Sequence, residues 1–471
     1  MKKILLALFV TFLIAVSATE AAPAALVKQV RYSQTAQTVR LVFDLDQLPD
    51  YKISLTENPA ALVIEFAGKV DQAVLPAMTF SDPAVKRLTF GGTSPDGLKI
   101  AVELNRAVLY KAFTLTGPNR LVVDVMKEYE QKVQEEVAPG VKLTTLLRGR
   151  PEGPIAAYLL EIEPKSGWVI QPVLSNDAIV NLETVKSMAD RTKAVAAVNA
   201  SYFSLHGELL GLTKINHTIV STGDLARTAL GIMPDGQAII GPVEYEGTVV
   251  LPDGANFPVA GINQRRGQDS LVVYNSYYGP ATDTNQYGAE YVVKQDKVVS
   301  IHVNNTPLEP DGIVLSAHGA AADQLAKLQV GDTVRVFQTL GPVWDKTLHV
   351  VGAGPALVKN NSVYLSTKIE KFGADVAGGR APRTAVGITE DGHILLAVVD
   401  GRQYGSMGFS LLELALFMQE AGAVQAMNLD GGGSSEMVVN GKIVNKPSDR
   451  RERRVGSALT VMPESPIKLA N

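Results

Sequence analysis

An acid followed by three glycines and two hydroxyls is the densest chemistry in this chain. The string is Asn428-Leu-Asp-Gly-Gly-Gly-Ser-Ser435, and Asp430 stands where the apolar run Val424 to Leu429 gives way to glycine. Gly431, Gly432 and Gly433 can fold the backbone tightly and turn successive N–H groups toward one point. Ser434 and Ser435 add hydroxyls. An acid beside such donors suits a substrate with phosphate or sugar oxygens; a tight turn with a capping aspartate is the plainer alternative. A second acid, Asp400, ends the apolar run Ile394 to Val399 and precedes Gly401 and Arg402. If the two strands are neighbours, both acids share one rim, where loops gather reactive groups; otherwise they are two separate turn aspartates. Arg383 opens the strand leading to Asp400 and is either a phosphate grip or an ordinary paired arginine. Asn199 follows the buried run Ala194 to Val198 and could bind a sugar hydroxyl or phosphate oxygen, or simply form a turn. Arg450-Arg-Glu-Arg-Arg454 is a solvated loop or, with Arg454 near the glycine loop, a second grip on phosphate.

Composition narrows the chemistry. The chain of 471 residues has no cysteine, so thiolate catalysis, disulfides and Cys-ligated zinc are excluded. Its six histidines form no close pair or cluster, which argues against a His-based zinc site and a Ser-His-Asp triad. A formal charge of -4 offers no electrostatic case for nucleic acid. Neither G-x-x-x-x-G-K-[ST] nor a helix-opening G-x-G-x-x-G occurs.

The elements that must position these residues follow from periodicity. Ser410 to Ala421 reads as a helix, with Leu411, Leu412, Ala415, Leu416 and Phe417 at helical spacing, stopped by Gly422. Val180 to Asp190 and Ala320 to Leu328 read as further helices. Asp332 to Phe337 and Ile394 to Val399 read as strands. A degenerate repeat spans this region: Leu212-Thr-Lys-Ile-Asn216 with Ser221 corresponds to Leu357-Val-Lys-Asn-Asn361 with Ser366. Each copy continues into Arg227-Thr-Ala-Leu-Gly-Ile232 or Arg383-Thr-Ala-Val-Gly-Ile388, then a hairpin turn at Asp235-Gly236 or Asp391-Gly392. The second copy carries an insertion, Thr367 to Arg380. Two related β-units packed together, with a site between them, are expected.

Upstream, short alternating runs such as Thr38 to Asp44, Leu62 to Phe66, Leu98 to Leu104 and Leu121 to Val125 predict a β-sandwich. The fold class expected is α+β: an N-terminal all-β sandwich, then a larger mixed α/β domain with an internal β-rich repeat. Residues 126–140 read as a polar linker, partly helical. Lys2 and Lys3 before the apolar run Ile4 to Val16, with small-residue cleavage sites by Ala21, read as a signal peptide over 1–21. The mature chain is expected to be exported to the periplasm, cell surface or medium, with no transmembrane segment after cleavage; a retained anchor is the alternative.

Two resemblances add to this reading. Glu57-Asn-Pro59 before Leu62-Val-Ile-Glu65, echoed by Gly117-Pro-Asn-Arg120 before Leu121-Val-Val-Asp124, makes residues 26–125 resemble the AMIN module of bacterial envelope proteins. That implies binding to a cell-wall or envelope polysaccharide. Over 141–463 the chain resembles the phosphodiester glycosidase family, through Asn199-Ala-Ser-Tyr-Phe203, Gly352-Ala-Gly-Pro355, Arg383-Thr-Ala-Val-Gly387, Asp400-Gly-Arg402, Asn428 to Ser435 and Arg453-Arg-Val455. The family's frequent Asn-Gly-Gly-Phe-Phe is here Asn-Ala-Ser-Tyr-Phe. The resemblance implies hydrolysis of a sugar-1-phosphodiester in a phosphate-linked glycan. The residues are compatible with that chemistry: Arg383 with the Gly-rich loop offers a phosphate clamp, and Asp430 or Asp400 offers the carboxylate. Asn199, Arg402, the loop from Gly431 to Ser435 and Arg454 then fall around the phosphate. A phosphate monoester leaves readily, so a cationic and N–H clamp can replace much of a general acid. No cofactor is firmly implied; two adjacent aspartates could hold Ca²⁺ or Mg²⁺. A non-catalytic polysaccharide-binding protein and a metal-dependent phosphodiesterase cutting P–O are the competing readings.

Overall fold

The computed structural model describes residues 24–464, apart from 71–74, 95–96 and 224. The expected signal segment lies outside the described residues. Strands make up 50% of the described residues and helix 9%, so these are mostly β, and the large helical share of a mixed α/β domain is not found among them. Two compact units divide at Lys127 and Glu128.

In the first unit the expected runs form the strands Thr38–Leu45, Ala60–Val70, Gly97–Leu104 and Arg120–Met126. Leu41, Phe43, Ile64, Ile100 and Val123 alternate inward and are fully buried. Pairing joins nine strands into one continuous sheet rather than two separate ones; the joint is a parallel contact of Ala25 to Val27 with Gly68 to Val70. An ion pair of Lys127 with Asp82 at 2.7 Å is buried in this unit.

The second unit corrects the linker. Tyr129–Ala138 is a strand, paired along its length with Val141–Arg150. It forms the outer edge of an eight-stranded sheet and exposes seven successive residues, which is why it reads as polar coil in sequence. Charged side chains are what a sheet edge needs to stay unpaired with other chains.

The order of that sheet continues through Gly153–Ile162, Ile394–Val399, Arg383–Thr389, Ala423–Asn428, Ala356–Lys359 and Ser362–Val363. One face packs on the helix Leu411–Glu420, where Leu411, Leu414, Ala415 and Met418 meet Ala385, Ala397 and Val399. Leu412 and Leu416, counted above with the helical face, are half exposed. A capping box of Ser410 with Glu413 starts this helix. The helices Val185–Thr192 and Ala320–Leu325 lie within the expected windows or just past them. The other face shares a core of Ala196, Val198, Leu230, Val351, Val386 and Met427 with neighbouring strands.

The repeat is structural as well as sequential. Arg227–Ile232 pairs with Ala238–Val243, and Arg383–Thr389 with Ile394–Val399. Gly236 and Gly392 close the two hairpins at positive φ, +83° and +88°.

Candidate active site

Asp430 follows the strand Ala423–Asn428, and Asp400 follows Ile394–Val399. Those strands are not neighbours. Arg383–Thr389 lies between them, antiparallel to both. The two acids therefore leave the sheet at one edge, separated by the strand that Arg383 begins.

The six sequence strings converge there. Asn199 Nδ2 donates to the Asp430 carbonyl at 2.6 Å, and its Oδ1 accepts from Thr384 Oγ1 at 2.7 Å and Glu436 N at 3.2 Å. Ser201 Oγ donates to the Gly352 carbonyl, and Tyr202 Oη to the Gly354 carbonyl. Asn428 Nδ2 donates to Tyr202 Oη at 2.8 Å. The Arg402 guanidinium lies against Gly432, and that of Arg453 against Gly433. A side chain on either glycine would meet a guanidinium.

This packing corrects several expected roles. Asn199 is 0% exposed and all its bonds are internal. It clamps three segments and does not present its amide to a ligand. Arg383 is 3% exposed, and its Nε, Nη1 and Nη2 donate to the carbonyls of Phe409, Val376 and Gly379 at 3.0, 3.0 and 3.2 Å. It is a buried brace rather than a phosphate grip. The glycine loop is closed on itself. Gly431 N donates to Asp430 Oδ1, Gly432 N to the Pro382 carbonyl, Ser434 N to Gly431 and Ser435 N to Gly432. Those four N–H groups are therefore not an array aimed outward. Ser434 bonds Asp430 through its side chain, whereas Ser435 Oγ is buried without a partner among the described residues.

Asp400 braces the same loop from outside. Its carboxylate accepts from Asn445 Nδ2 and Lys446 N, each at 3.0 Å, and from the Tyr158 hydroxyl. Asn445 in turn donates to the Ser435 carbonyl and accepts from Met437 N. Burial pushes the Asp400 carboxyl up to about 6, against the pull of these bonds. Among the described residues no group of three or more His, Asp or Glu converges on one point.

Asp430 is the acid left facing the site. It is half buried. Burial pushes its carboxyl up to about 6, while Ser434, Gly431 N–H and the charge of Arg453 pull it down. Against Gly432 of the same loop, Arg402 is exposed, and its guanidinium carries no hydrogen bond or ion pair among the described residues. Arg453 is paired with Asp449 at 2.7 Å. Arg454, expected near phosphate, sits in the short strand Arg454–Val455 against Thr184, and its neighbour Arg453 takes the place at the loop.

The residue types overlooked in sequence are aromatic, amide and acid. Tyr202 lies close enough to Asp430 that burial and this charge together push its phenol up. Asn445 looked like ordinary loop. Glu436 is buried with Oε1 unpartnered. Burial and then Glu452 push it up to about 7, against the N–H of Lys186. A charged residue opening the apolar run Met437 to Val439 was the signal available for it.

Comparison with known proteins points to one family for part of the chain. The phosphodiester glycosidase family model matches residues 287–462. The N-acetylglucosamine-1-phosphodiester alpha-N-acetylglucosaminidase of Mus musculus is 32% identical over 150 residues, 30% of this chain and 25% of that protein. The Bos taurus enzyme is 33% identical over 155 residues, 29% of this chain and 27% of that protein. The chain thus spans about a quarter of the length of these relatives. An uncharacterized prophage-derived protein of Bacillus subtilis is 43% identical over 81 residues, 17% of this chain and 12% of that protein. A solved structure from Synechocystis shares the fold, with a TM-score of 0.66, 22% identity, and coverage of 93% of this chain and 81% of that one. One from Burkholderia pseudomallei has a TM-score of 0.59 and 25% identity, covering 88% and 96%. The family model falls on the strings that build the Asp430 edge from Gly352 onward, and residues 287–462 of this chain carry the sequence pattern of the phosphodiester glycosidases.

Proposed function

We propose that this chain is an exported glycosidase that hydrolyses the glycosidic bond of a sugar-1-phosphodiester. The observation that carries the reading is Asp430, a half-buried carboxyl that feels the charge of Arg453 and sits on a closed glycine loop whose Gly432 meets the unpaired guanidinium of Arg402. The sugar's C1–O bond breaks and the phosphate monoester leaves with the electron pair. Arg402, with Arg453 behind it, meets the negative charge that gathers on the phosphate oxygens, so a strong general acid is not needed. The Asp430 carboxylate faces the positive charge developing at C1, as stabiliser or nucleophile, and water supplies the hydroxyl that ends on the sugar. The relatives' activity on a GlcNAc-1-phosphodiester makes that sugar the first to try. The first unit, with its AMIN-like pattern, would hold an envelope polysaccharide.

Hydrolysis in ¹⁸O water tests the bond cleaved. Label should enter the sugar at C1. Label in the phosphate would identify a phosphodiesterase cutting P–O. No turnover on any sugar-1-phosphodiester, with polysaccharide binding retained, would identify a binding protein.

A further inference from the structure

The two arginines of the repeat have opposite fates. Arg383 spends its guanidinium on three backbone carbonyls. The guanidinium of its twin Arg227 has no hydrogen bond or ion pair among the described residues. Its guanidinium carbon instead lies 4.2 Å from the centre of the Phe372 ring. Phe372 comes from the insertion that only the second repeat copy carries. Its ring centre is 5.8 Å from that of Tyr202, the phenol that feels the charges of both Asp430 and Arg227.

The insertion is locked in this place. Glu370 accepts from Thr228 N at 2.9 Å, Thr228 Oγ1 at 2.6 Å and Ala356 N at 3.2 Å, and Ser366 Oγ bonds it too. Thr228 is the residue after Arg227, so one buried carboxylate fixes both the arginine's strand and the loop bearing its aromatic platform. A guanidinium stacked on an aromatic face loses little freedom on binding an anion, and its N–H edge stays available.

Beyond Arg227 lies a cavity of about 440 Å³. Arg265 lines it as well, exposed and without an ion pair among the described residues. Glu208 is the acid on its wall, already bonded to Ser204 Oγ. Leu209, Leu210 and Leu225 supply apolar surface. Asp224, in the same loop, lies outside the described residues.

We propose that Arg227, held on Phe372, binds a second anionic group of the same substrate, on the aglycone side of the scissile phosphodiester. The preferred substrate is then a phosphodiester whose aglycone carries a further phosphate or carboxylate, as a phosphate-linked polymer does at each repeat. Two contacts in series, of 5.8 and 4.2 Å, place the guanidinium at most about 10 Å from the ring centre of Tyr202, whose phenol also feels the charge of Asp430. The inference rests on the glycosidase reading for its kinetics, but not for its binding.

The test compares two diesters of GlcNAc-1-phosphate, one with methanol and one with glycerol 3-phosphate. The wild type should show a higher kcat/KM for the phosphorylated aglycone, and the preference should weaken as salt is raised. Arg227→Gln should cut the ratio of the two kcat/KM values by about tenfold, the scale of one charge-assisted contact. Arg227→Lys should recover only part of it, because lysine has no planar fork to stack. No preference in the wild type, or a preference that survives in Arg227→Gln, would overturn the proposal. If neither diester is hydrolysed, the glycosidase reading fails separately. Calorimetric titration with inorganic pyrophosphate then decides: about tenfold weaker binding by Arg227→Gln supports the site, and equal binding rejects it.

Discussion

Asp430 differs from the other acids at this edge in what its carboxylate is free to do. Asp400 is saturated by Asn445, Lys446 and Tyr158, whereas the Asp430 carboxylate bonds only its own loop and feels the opposite charge of Arg453. Asp430→Asn keeps the size and the Gly431 contact but removes the charge. It should lower kcat/KM by about a hundredfold or more while the thermal transition stays close to wild type. Asp400→Asn should do the reverse, unsettling the fold more than the rate. Equal turnover in wild type and Asp430→Asn would remove Asp430 from the chemistry. The pH profile belongs to the same residue. Since the ionised form acts and burial holds its carboxyl at about 6, kcat/KM should rise with pH and level off above about 6. A flat profile between pH 5 and 7 would count against the assignment.

At the scale of elements, the site is a matter of which strand lies between which. Arg383 opens the central strand and ties it to the insertion and to Phe409 ahead of the helix Leu411–Glu420. Lysine keeps the charge but cannot reach three carbonyls that diverge around a planar fork. Arg383→Lys should therefore cost about 2 kcal/mol or more of stability, as for loss of buried charge-assisted bonds. That appears as a melting point lower by several degrees. The ratio of phosphodiester to aryl-glycoside turnover should not change. A selective loss on phosphodiesters, with an unchanged melting curve, would return Arg383 to the phosphate.

The whole molecule sets two further expectations. The second unit begins at Glu128 and includes the edge strand Tyr129–Ala138. A chain starting at Glu128 should fold and hydrolyse small substrates, while one starting at Gly140 leaves Val141–Arg150 as a bare edge and should melt earlier or aggregate. Equal melting points would mean that the strand is dispensable. The second expectation concerns pH. Asp400 and Asp430 are pushed up to about 6 and Glu436 to about 7. Each binds its proton more tightly folded than unfolded, so each contributes stability at low pH that is lost as pH rises through these values. His349, pushed down to about 4 by burial, acts oppositely, and its contribution is lost as pH falls below about 6.5. Three groups outweigh one, so the melting point should fall between pH 5 and 7. Glu436→Gln should flatten that fall at its upper end; an unchanged slope would show that Glu436 ionises as freely folded as unfolded.

Local order in this chain was legible without coordinates. Ile394–Val399 is apolar throughout, Leu411 to Phe417 recur at helical spacing ahead of Gly422, and Asp-Gly pairs mark both hairpins, because these signals act between residues a few positions apart. The six strings around Asp430 were legible as a set through their resemblance to the phosphodiester glycosidase family. The edge strand Tyr129–Ala138 was hidden, since a strand exposed along its length carries no apolar alternation to read. The division of labour among the charged groups was hidden more deeply. Nothing local separates Arg383 from Arg227, or Asp400 from Asp430, because each pair stands in nearly the same string. What separates them is supplied from far along the chain: carbonyls at Val376, Gly379 and Phe409 for one arginine and the Phe372 ring for the other, and Asn445 and Tyr158 for one aspartate. Residue type and spacing determined where reactive groups collect, and the tertiary structure decided which of them are satisfied and which remain free, because a hydrogen bond or a stacked ring depends on proximity in space and not on neighbourhood in sequence.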